Sequence, residues 1–324
     1  MPGVQFNSPI KYNPLMHIEL DQAIQLLQDD LVIAIPTETV YGLAALLSSE
    51  SAIGSIFTLK NRPAKNPLIV HIADHSQAEP LMRTKPPFFD KLSDRYWPGP
   101  LTLVVPASDQ VPSIVRAGLP TVGLRVPNHP LTRALLRDAG PLVAPSANIS
   151  GRPSSTCPNH VENDFGENFP VLSGGSCDKG LESTILVFNN GKWELGRLGA
   201  IPREELESFL GYSLNTSSSE KPLCPGQHFQ HYSPKAKLIL SKAPFSEDVV
   251  LGFERREYPN AKRVFVIGPL GDPEAIARNL YHVLRQIDLE GIKEVHVDFD
   301  FDQEGVLRTV AERLEKAAHP YASS

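Results

Sequence analysis

The 324-residue sequence predicts an α/β protein built from two units. Up to about Leu210, short apolar runs of strand length alternate with helix-like segments. After Pro234 a βαβα order is packed into a much shorter stretch, as a small parallel α/β unit requires. Between the two lies Asn215-Thr216-Ser217-Ser218-Ser219-Glu220-Lys221-Pro222, a polar, proline-ended run of linker character.

Ile18 to Leu27 has helical spacing, and Leu31 to Ile35 is an unbroken apolar run of the kind a buried strand needs. Leu68 to Ile72, Leu101 to Val105, Thr121 to Val126, Leu142 to Ala144 and Thr184 to Phe188 are further strands. In the second unit, Leu238 to Leu240, Arg263 to Ile267 and Val295 to Val297 predict strands. Ile276, Leu280, Val283, Leu284 and Ile287 share one face of a helix opened by Pro273. Val306, Leu307, Val310 and Leu314 share a face of another. Gly268-Pro269-Leu270-Gly271 is a plain strand-to-helix turn rather than a phosphate loop. The Asp298 to Asp302 run alternates as a solvent-facing strand end would, rather than as a metal loop.

A composition of 41% hydrophobic and 21% charged residues is that of a soluble globular protein. No apolar run approaches the roughly 18 residues that span a bilayer. Met1 to Asn13 is polar, without an apolar signal core. Cys157, Cys177 and Cys224 are odd in number and widely separated, which indicates neither a zinc site nor a disulfide framework. The expected location is the cytoplasm. A net charge of −6 argues against a general nucleic-acid binder, while leaving room for a local basic cavity.

Common nucleotide and catalytic signatures are missing: there is no GxxxxGK[ST], GxGxxG, GxSxG or HExxH. The chain instead carries cations where a connection enters a strand. Lys60, Arg62 and Lys65, followed by Asn66 and His71, lie on a segment stiffened by Pro63 and Pro67. Such a cluster suits a multiply charged anion, most naturally a nucleotide triphosphate. Other polar segments stand at strand ends: Pro36 to Leu43, Thr121 to Pro127, Ala144 to Thr156, Gly180 to Ile185 and Arg197 to Ile201. Ligands of open α/β sheets bind beyond strand ends, so these segments predict one lined cavity. Arg152 is assigned to the surface, and Ser154 and Ser155 to a turn.

Together, PTETVYGL, KxRP followed by NPL and a histidine, SANxSG and GLESTI, in this order, resemble the threonylcarbamoyl-AMP synthase family and its YrdC-like catalytic module. The resemblance covers about residues 15 to 205. His231-Tyr232-Ser233-Pro234 extends it to the linker of the long, two-domain form. It implies a YrdC-like twisted mixed sheet with helices around a concave cavity over 1–210. A linker or lid over 211–235 and a small C-terminal parallel, Rossmann-like α/β domain over 236–324 complete the expectation.

The family makes threonylcarbamoyl-adenylate from ATP, bicarbonate and L-threonine, releasing pyrophosphate, for threonylcarbamoyl-adenosine next to the anticodon of tRNA. The resemblance implies tRNA and the threonylcarbamoyl-transfer machinery as further partners, and no membrane. It assigns threonine to Thr39, His71, Arg125, Ser146 and Ser183, with Arg125 suited to gripping the carboxylate. It assigns ATP to Arg62, Asn66, Thr121, Asn148, Thr156, Arg197 and Tyr232, with Lys60 adding charge near the phosphates. Magnesium is expected with ATP, on phosphate oxygens and water.

The linker departs from the family pattern. His228 and Gln230 stand where lysine and arginine are common, so any phosphate grip there is weaker or pH-dependent. Two rival readings are a non-catalytic nucleic-acid-binding module and a hydrogenase-maturation carbamoyltransferase. Net acidity disfavours the first. The second needs acylphosphatase-like and zinc-finger segments that this chain lacks.

Overall fold

The computed structural model describes residues 17–216, 224, 232–242 and 249–318. The first unit is organised on a ten-stranded mixed sheet. In spatial order its strands are His17–Ile18, Val171–Leu172, Ile33–Ile35, Gly42–Leu46, Leu142–Val143, Ile69–His71, Thr121–Arg125, Leu101–Pro106, Thr184–Asn189 and Lys192–Arg197.

The unbroken apolar run at Leu31 to Ile35 follows from a sheet buried on both faces. Val32 and Ala34 enter one core with Leu43 and Ala45. Ile33 and Ile35 enter another with Ala44, Leu135 and Leu136. The helices Leu20–Gln28 and Pro130–Ala139 cover that second face and contact each other. Each strand therefore presents apolar side chains to both sides, and no alternation survives in the sequence.

Two features of this sheet place functional groups. Ile69–His71 and Thr121–Arg125 are parallel neighbours with Ile69 opposite Gly123 and His71 opposite Arg125. Register partners on parallel strands leave the same face, so His71 and Arg125 emerge side by side. The helix Glu50–Lys60 is capped by Ser49, whose hydroxyl accepts from Ala52 N at 3.2 Å, and it stops at Asn61 in the left-handed region. Asn tolerates that conformation, so the chain turns sharply there into the cation-bearing connection.

The second unit has four parallel strands in the order Lys237–Ser241, Glu294–Asp298, Val249–Gly252, Arg263–Val266. The helix Pro273–Leu289 opens on Asp272, which accepts from Ala275 N at 3.0 Å, and Gly305–Ala318 follows the last strand. Leu280, Leu284, Val295, Val297, Val310 and Leu314 form its core. The short strand Val249–Gly252 is additional to the predicted ones. Asp298 corrects an expectation: it is buried, and both its oxygens accept from Arg256, at 2.9 and 2.8 Å, with Tyr258 Oη at 2.7 Å. Burial at the strand end, rather than solvent, explains that aspartate.

The units meet closely. Gly180 has φ +68°, and a Cβ there would lie 2.4 Å from Arg278 Cα, so only glycine allows the approach. Arg285 of the second unit pairs with the buried Asp164 at 2.7 Å and donates to Pro153 O at 2.6 Å. Among the described residues no helix is long and apolar enough to cross a membrane.

Candidate active site

A cavity opens where the polar strand-end segments meet. Its wall includes Thr37, Thr39, Arg62, His71, Arg125, Ser146, Asn148, Arg152, Ser154, Glu182, Ser183, Arg197 and Tyr232. The segments are tied to one another by their backbones. Leu43 N donates to Pro145 O at 2.8 Å, Ala147 N to Tyr41 O at 2.7 Å, and Tyr41 N to Ser155 O at 2.8 Å. Thr37 shapes the first loop: its hydroxyl donates to Val40 O at 2.6 Å and accepts from Thr39 N at 3.1 Å.

All the residues predicted for threonine line this cavity: Thr39, His71, Arg125, Ser146 and Ser183. Arg125 is committed on two sides, with Nη2 2.7 Å from Glu38 Oε1 and Nε donating to Gly99 O at 3.2 Å. Glu38 in turn accepts from Asn128 N at 2.9 Å. The arginine is thus fixed in direction, with Nη1 outside these bonds. His71 is buried and its Nδ1 has no partner among the described residues. Burial first, and Arg125 second, push its imidazole down to about 3, so it is neutral at physiological pH. Ser183 Oγ lies 2.8 Å from Thr102 Oγ1.

Of the residues predicted for ATP, Arg62, Asn148, Arg197 and Tyr232 line the cavity. Arg62 Nη2 donates to Pro67 O at 2.8 Å, while its Nε is buried without a partner. Arg197 Nη2 donates to Ser183 O at 2.8 Å. Asn148 Nδ2 donates to Ile149 O and Arg152 O at 2.8 and 3.0 Å, leaving Oδ1 buried and unpartnered. Tyr232 stacks on Tyr281 of the second unit, ring centres 5.6 Å apart.

Lys60, Asn66, Thr121 and Thr156 stand outside the wall. Asn66 is buried on the same connection as Arg62, and both its amide atoms lack partners. Thr121 begins its strand opposite Pro106, and Thr156 Oγ1 lies 3.3 Å from His160 Nδ1. Lys60 is bonded to the loop of the cavity wall. It is buried and its ammonium donates to Ser146 O and, at 2.6 Å, to Asn148 O. It fastens the loop that carries those residues. Lys65 is exposed, so the three cations of this connection do not aim at one point.

Sequence reasoning missed four of these wall residues, Thr37 among them. Arg152, assigned to the surface, lines the cavity and pairs with Asp164 at 3.3 Å. Ser154, assigned to a turn, donates to Glu182 Oε1 at 2.7 Å. Glu182 itself sits inside the GLESTI phrase, which was the available signal. In the linker, positions 217–223 and 225–231, including His228, Gln230 and His231, lie outside the described residues.

Residues 25–199 match the Sua5, YciO and YrdC family model described as telomere recombination. Residues 201–319 match the model described as threonylcarbamoyl-AMP synthase, C-terminal domain. A curated relative from Pyrococcus abyssi, threonylcarbamoyl-AMP synthase, is 37% identical over 91% of this chain and 93% of its own. One of the same name from Bacillus subtilis is 37% identical over 93% of each chain. The crystal structure of P. abyssi Sua5 complexed with L-threonine superposes with a TM-score of 0.85 at 35% identity, covering 92% of this chain and 94% of that one.

Proposed function

We propose a reaction from one premise: the chain belongs to the threonylcarbamoyl-AMP synthase family and is an enzyme of that type. It joins L-threonine, bicarbonate and ATP into L-threonylcarbamoyl-adenylate and releases pyrophosphate. The observation that carries this reading is a set of buried polar atoms without partners among the described residues, three of them on residues of the cavity wall and the Asn66 amide on the connection that carries Arg62. Arg62 Nε, His71 Nδ1, Asn148 Oδ1 and both amide atoms of Asn66 are all of this kind. Buried polar groups in native proteins are nearly always bonded, so such a group supports a site built for polar ligands. Four arginines in the same wall, Arg62, Arg125, Arg152 and Arg197, favour anionic ones.

In the proposal, threonine lies beside His71 and Arg125, with its carboxylate on Arg125. The threonine complex of P. abyssi Sua5 supports threonine as the amino-acid substrate. The amine of threonine attacks bicarbonate, water leaves, and a carbamate forms. A carbamate oxygen then attacks the α-phosphate of ATP, forming the mixed anhydride as pyrophosphate departs. Two anions must approach each other in this step, and close like charges repel by several kcal/mol at modest dielectric. Arg62 and Arg197 would offset that repulsion, while a neutral His71 adds no charge to the amine's surroundings. Positioning and charge stabilisation supply most of the rate.

Magnesium would travel with ATP and shield the phosphate charge. The wall carboxylate, Glu182, has both oxygens occupied by Ser154, Tyr281 and Arg313, so phosphate oxygens and water would hold the ion. The adenylate would feed threonylcarbamoyl-adenosine formation in tRNA through the transfer machinery, in the cytoplasm.

The test is pyrophosphate release from ATP with each amino acid in turn, with and without bicarbonate. Release should require bicarbonate. Threonine should exceed valine by more than it exceeds serine, because valine leaves hydroxyl-binding groups unpaired. Equal rates with valine and threonine, or release independent of bicarbonate, would overturn the assignment.

A further inference from the structure

The second unit meets the cavity wall at Tyr232 and at one carboxylate, Glu182. Arg313 Nε donates to Glu182 Oε2 at 3.2 Å, and Tyr281 Oη lies 3.0 and 2.9 Å from the two carboxylate oxygens. Arg313 is wholly buried. Its Nη2 donates to Leu198 O at 2.7 Å, its Nη1 pairs with Glu312 at 2.7 Å, and its guanidinium lies 4.5 Å from the centre of the Tyr232 ring. Lys316 pairs with Glu312 at 2.6 Å. The charged groups of this seam are therefore Glu182 and Glu312 against Arg313, Arg197 and Lys316, with Tyr232, Tyr281 and Ser154 as neutral neighbours.

Glu182 is the only acid among the described residues lining the cavity. Burial by itself would hold it as the neutral acid, yet Arg313, and then Arg197 and Ser154, bring it down to about 2. It is therefore ionised at neutral pH, in a cavity whose other charged wall residues are arginines. An ionised carboxylate beside a triphosphate opposes binding unless its charge is engaged elsewhere.

We propose that Arg313 and Tyr281 are positioning residues for the nucleotide: they hold and neutralise Glu182 at the seam, so that Arg62 and Arg197 present net positive charge to the phosphates. The inference rests on the reading of the cavity as an ATP site. Neither residue touches ATP. The second unit thereby supplies a charge that the first unit's cavity depends on.

The test uses the full chain and measures ATP affinity by calorimetry from pH 5.5 to 8, each variant expressed as a ratio to the wild type. Arg313→Met should weaken ATP binding on the order of tenfold or more at pH 8, and threonine binding much less. The ratio should then recover as pH falls. Without Arg313, burial raises the Glu182 pKa, and protonation removes the opposing charge. His71, the histidine of the wall, is already neutral across this range, being pushed down to about 3 by burial and Arg125. Adding Glu182→Gln to Arg313→Met should restore most of the affinity and abolish the pH trend, while Arg313→Lys should keep wild-type behaviour.

A merely structural role would weaken both substrates alike, without a pH trend and without rescue by Glu182→Gln; that pattern overturns the proposal, as does unchanged ATP binding in Arg313→Met. If Arg313→Met does not fold, Tyr281→Phe keeps the ring and removes one donor, and it should show a smaller version of the same pH trend; a flat ratio there overturns the proposal as well. A wild-type chain that fails to bind ATP overturns the reading of the cavity instead.

Discussion

Arg62 and Arg197, from distant parts of the chain, bring two guanidinium groups to the same cavity wall. Burial first, and the charge of Arg197 second, push Arg62 down to about 9. It remains protonated at neutral pH, but in a strained electrostatic position that a bound polyanion would relieve. A pair of like charges held close together costs folding free energy, a cost that a ligand of opposite sign would offset.

Arg62→Ala should therefore separate activity from stability. Loss of a charge-assisted phosphate contact costs about 2–4 kcal/mol of transition-state stabilisation, or roughly 30- to 800-fold in rate. The melting temperature should stay level or rise, because a penalised buried charge is removed. Pyrophosphate release and thermal denaturation on the same preparation check both halves. Near-wild-type turnover at saturating ATP would remove Arg62 from the phosphate site.

Lys60 predicts the opposite pattern, although it stands two positions away. Its ammonium bonds the carbonyls of Ser146 and Asn148, and burial pulls its pKa well below the usual lysine value. Lys60→Met leaves two carbonyls unsatisfied, which costs about 2–4 kcal/mol of stability. The loop holding Ser146 and Asn148 loosens, so KM should rise for threonine and ATP together. Urea denaturation and steady-state kinetics distinguish this from a phosphate contact, which would raise KM for ATP alone and leave stability intact.

The contrast between these two cations shows what the sequence could express. Both lie on one connection, and residue type and spacing treat them alike. Which one meets the cavity is decided by the left-handed turn at Asn61 and by carbonyls supplied from Ser146 and Asn148, far along the chain. The apolar strand runs were legible because double-sided burial writes itself into consecutive residues, as at Leu31 to Ile35. Gly42–Leu46 was not, because Gly42, Ala44 and Ala45 have weak strand preference and are held there by neighbours. His71 and Ser183 were found through motif phrases, and Arg125 through a polar strand-end segment and the family resemblance. The pairing of Glu182 with Arg313 has no local period and spans both units, so only the folded chain reveals it.

His71 makes a prediction for stability against pH. Its folded pKa, about 3, lies below the unfolded histidine value near 6.5. Above pH 6.5 the imidazole is neutral in both states and costs nothing. As pH falls from 6.5 towards 3 the unfolded chain binds a proton that the folded one refuses, so stability declines, by up to the order of 4 kcal/mol. His160 is pushed down to about 3 by burial, Arg285 and His282, and it acts in the same window. His71→Gln should reduce the acid destabilisation between those limits by up to the order of 4 kcal/mol, read as unfolding free energy at a series of pH values. An unchanged pH slope would mean that His71 takes up its proton in the folded state.

Tyr232 tests whether the end of the linker takes part in the chemistry. It adopts φ +68°, an unfavourable conformation for a bulky side chain, and it is buried against Tyr281 and Arg313 while lining the cavity. Such strain persists only where surrounding contacts over-determine it. Tyr232→Phe keeps both ring contacts and should retain most activity. Tyr232→Ala removes the stack and opens the wall beside a carbamate that water destroys, so exclusion of solvent should fail. ATP affinity should fall, and ATP hydrolysis without adenylate formation should rise. The measurement is the ratio of pyrophosphate or phosphate released to threonylcarbamoyl-adenylate formed, with circular dichroism to verify both units. A ratio that stays at the wild-type value in Tyr232→Ala would leave this residue as a packing contact between the units and nothing more.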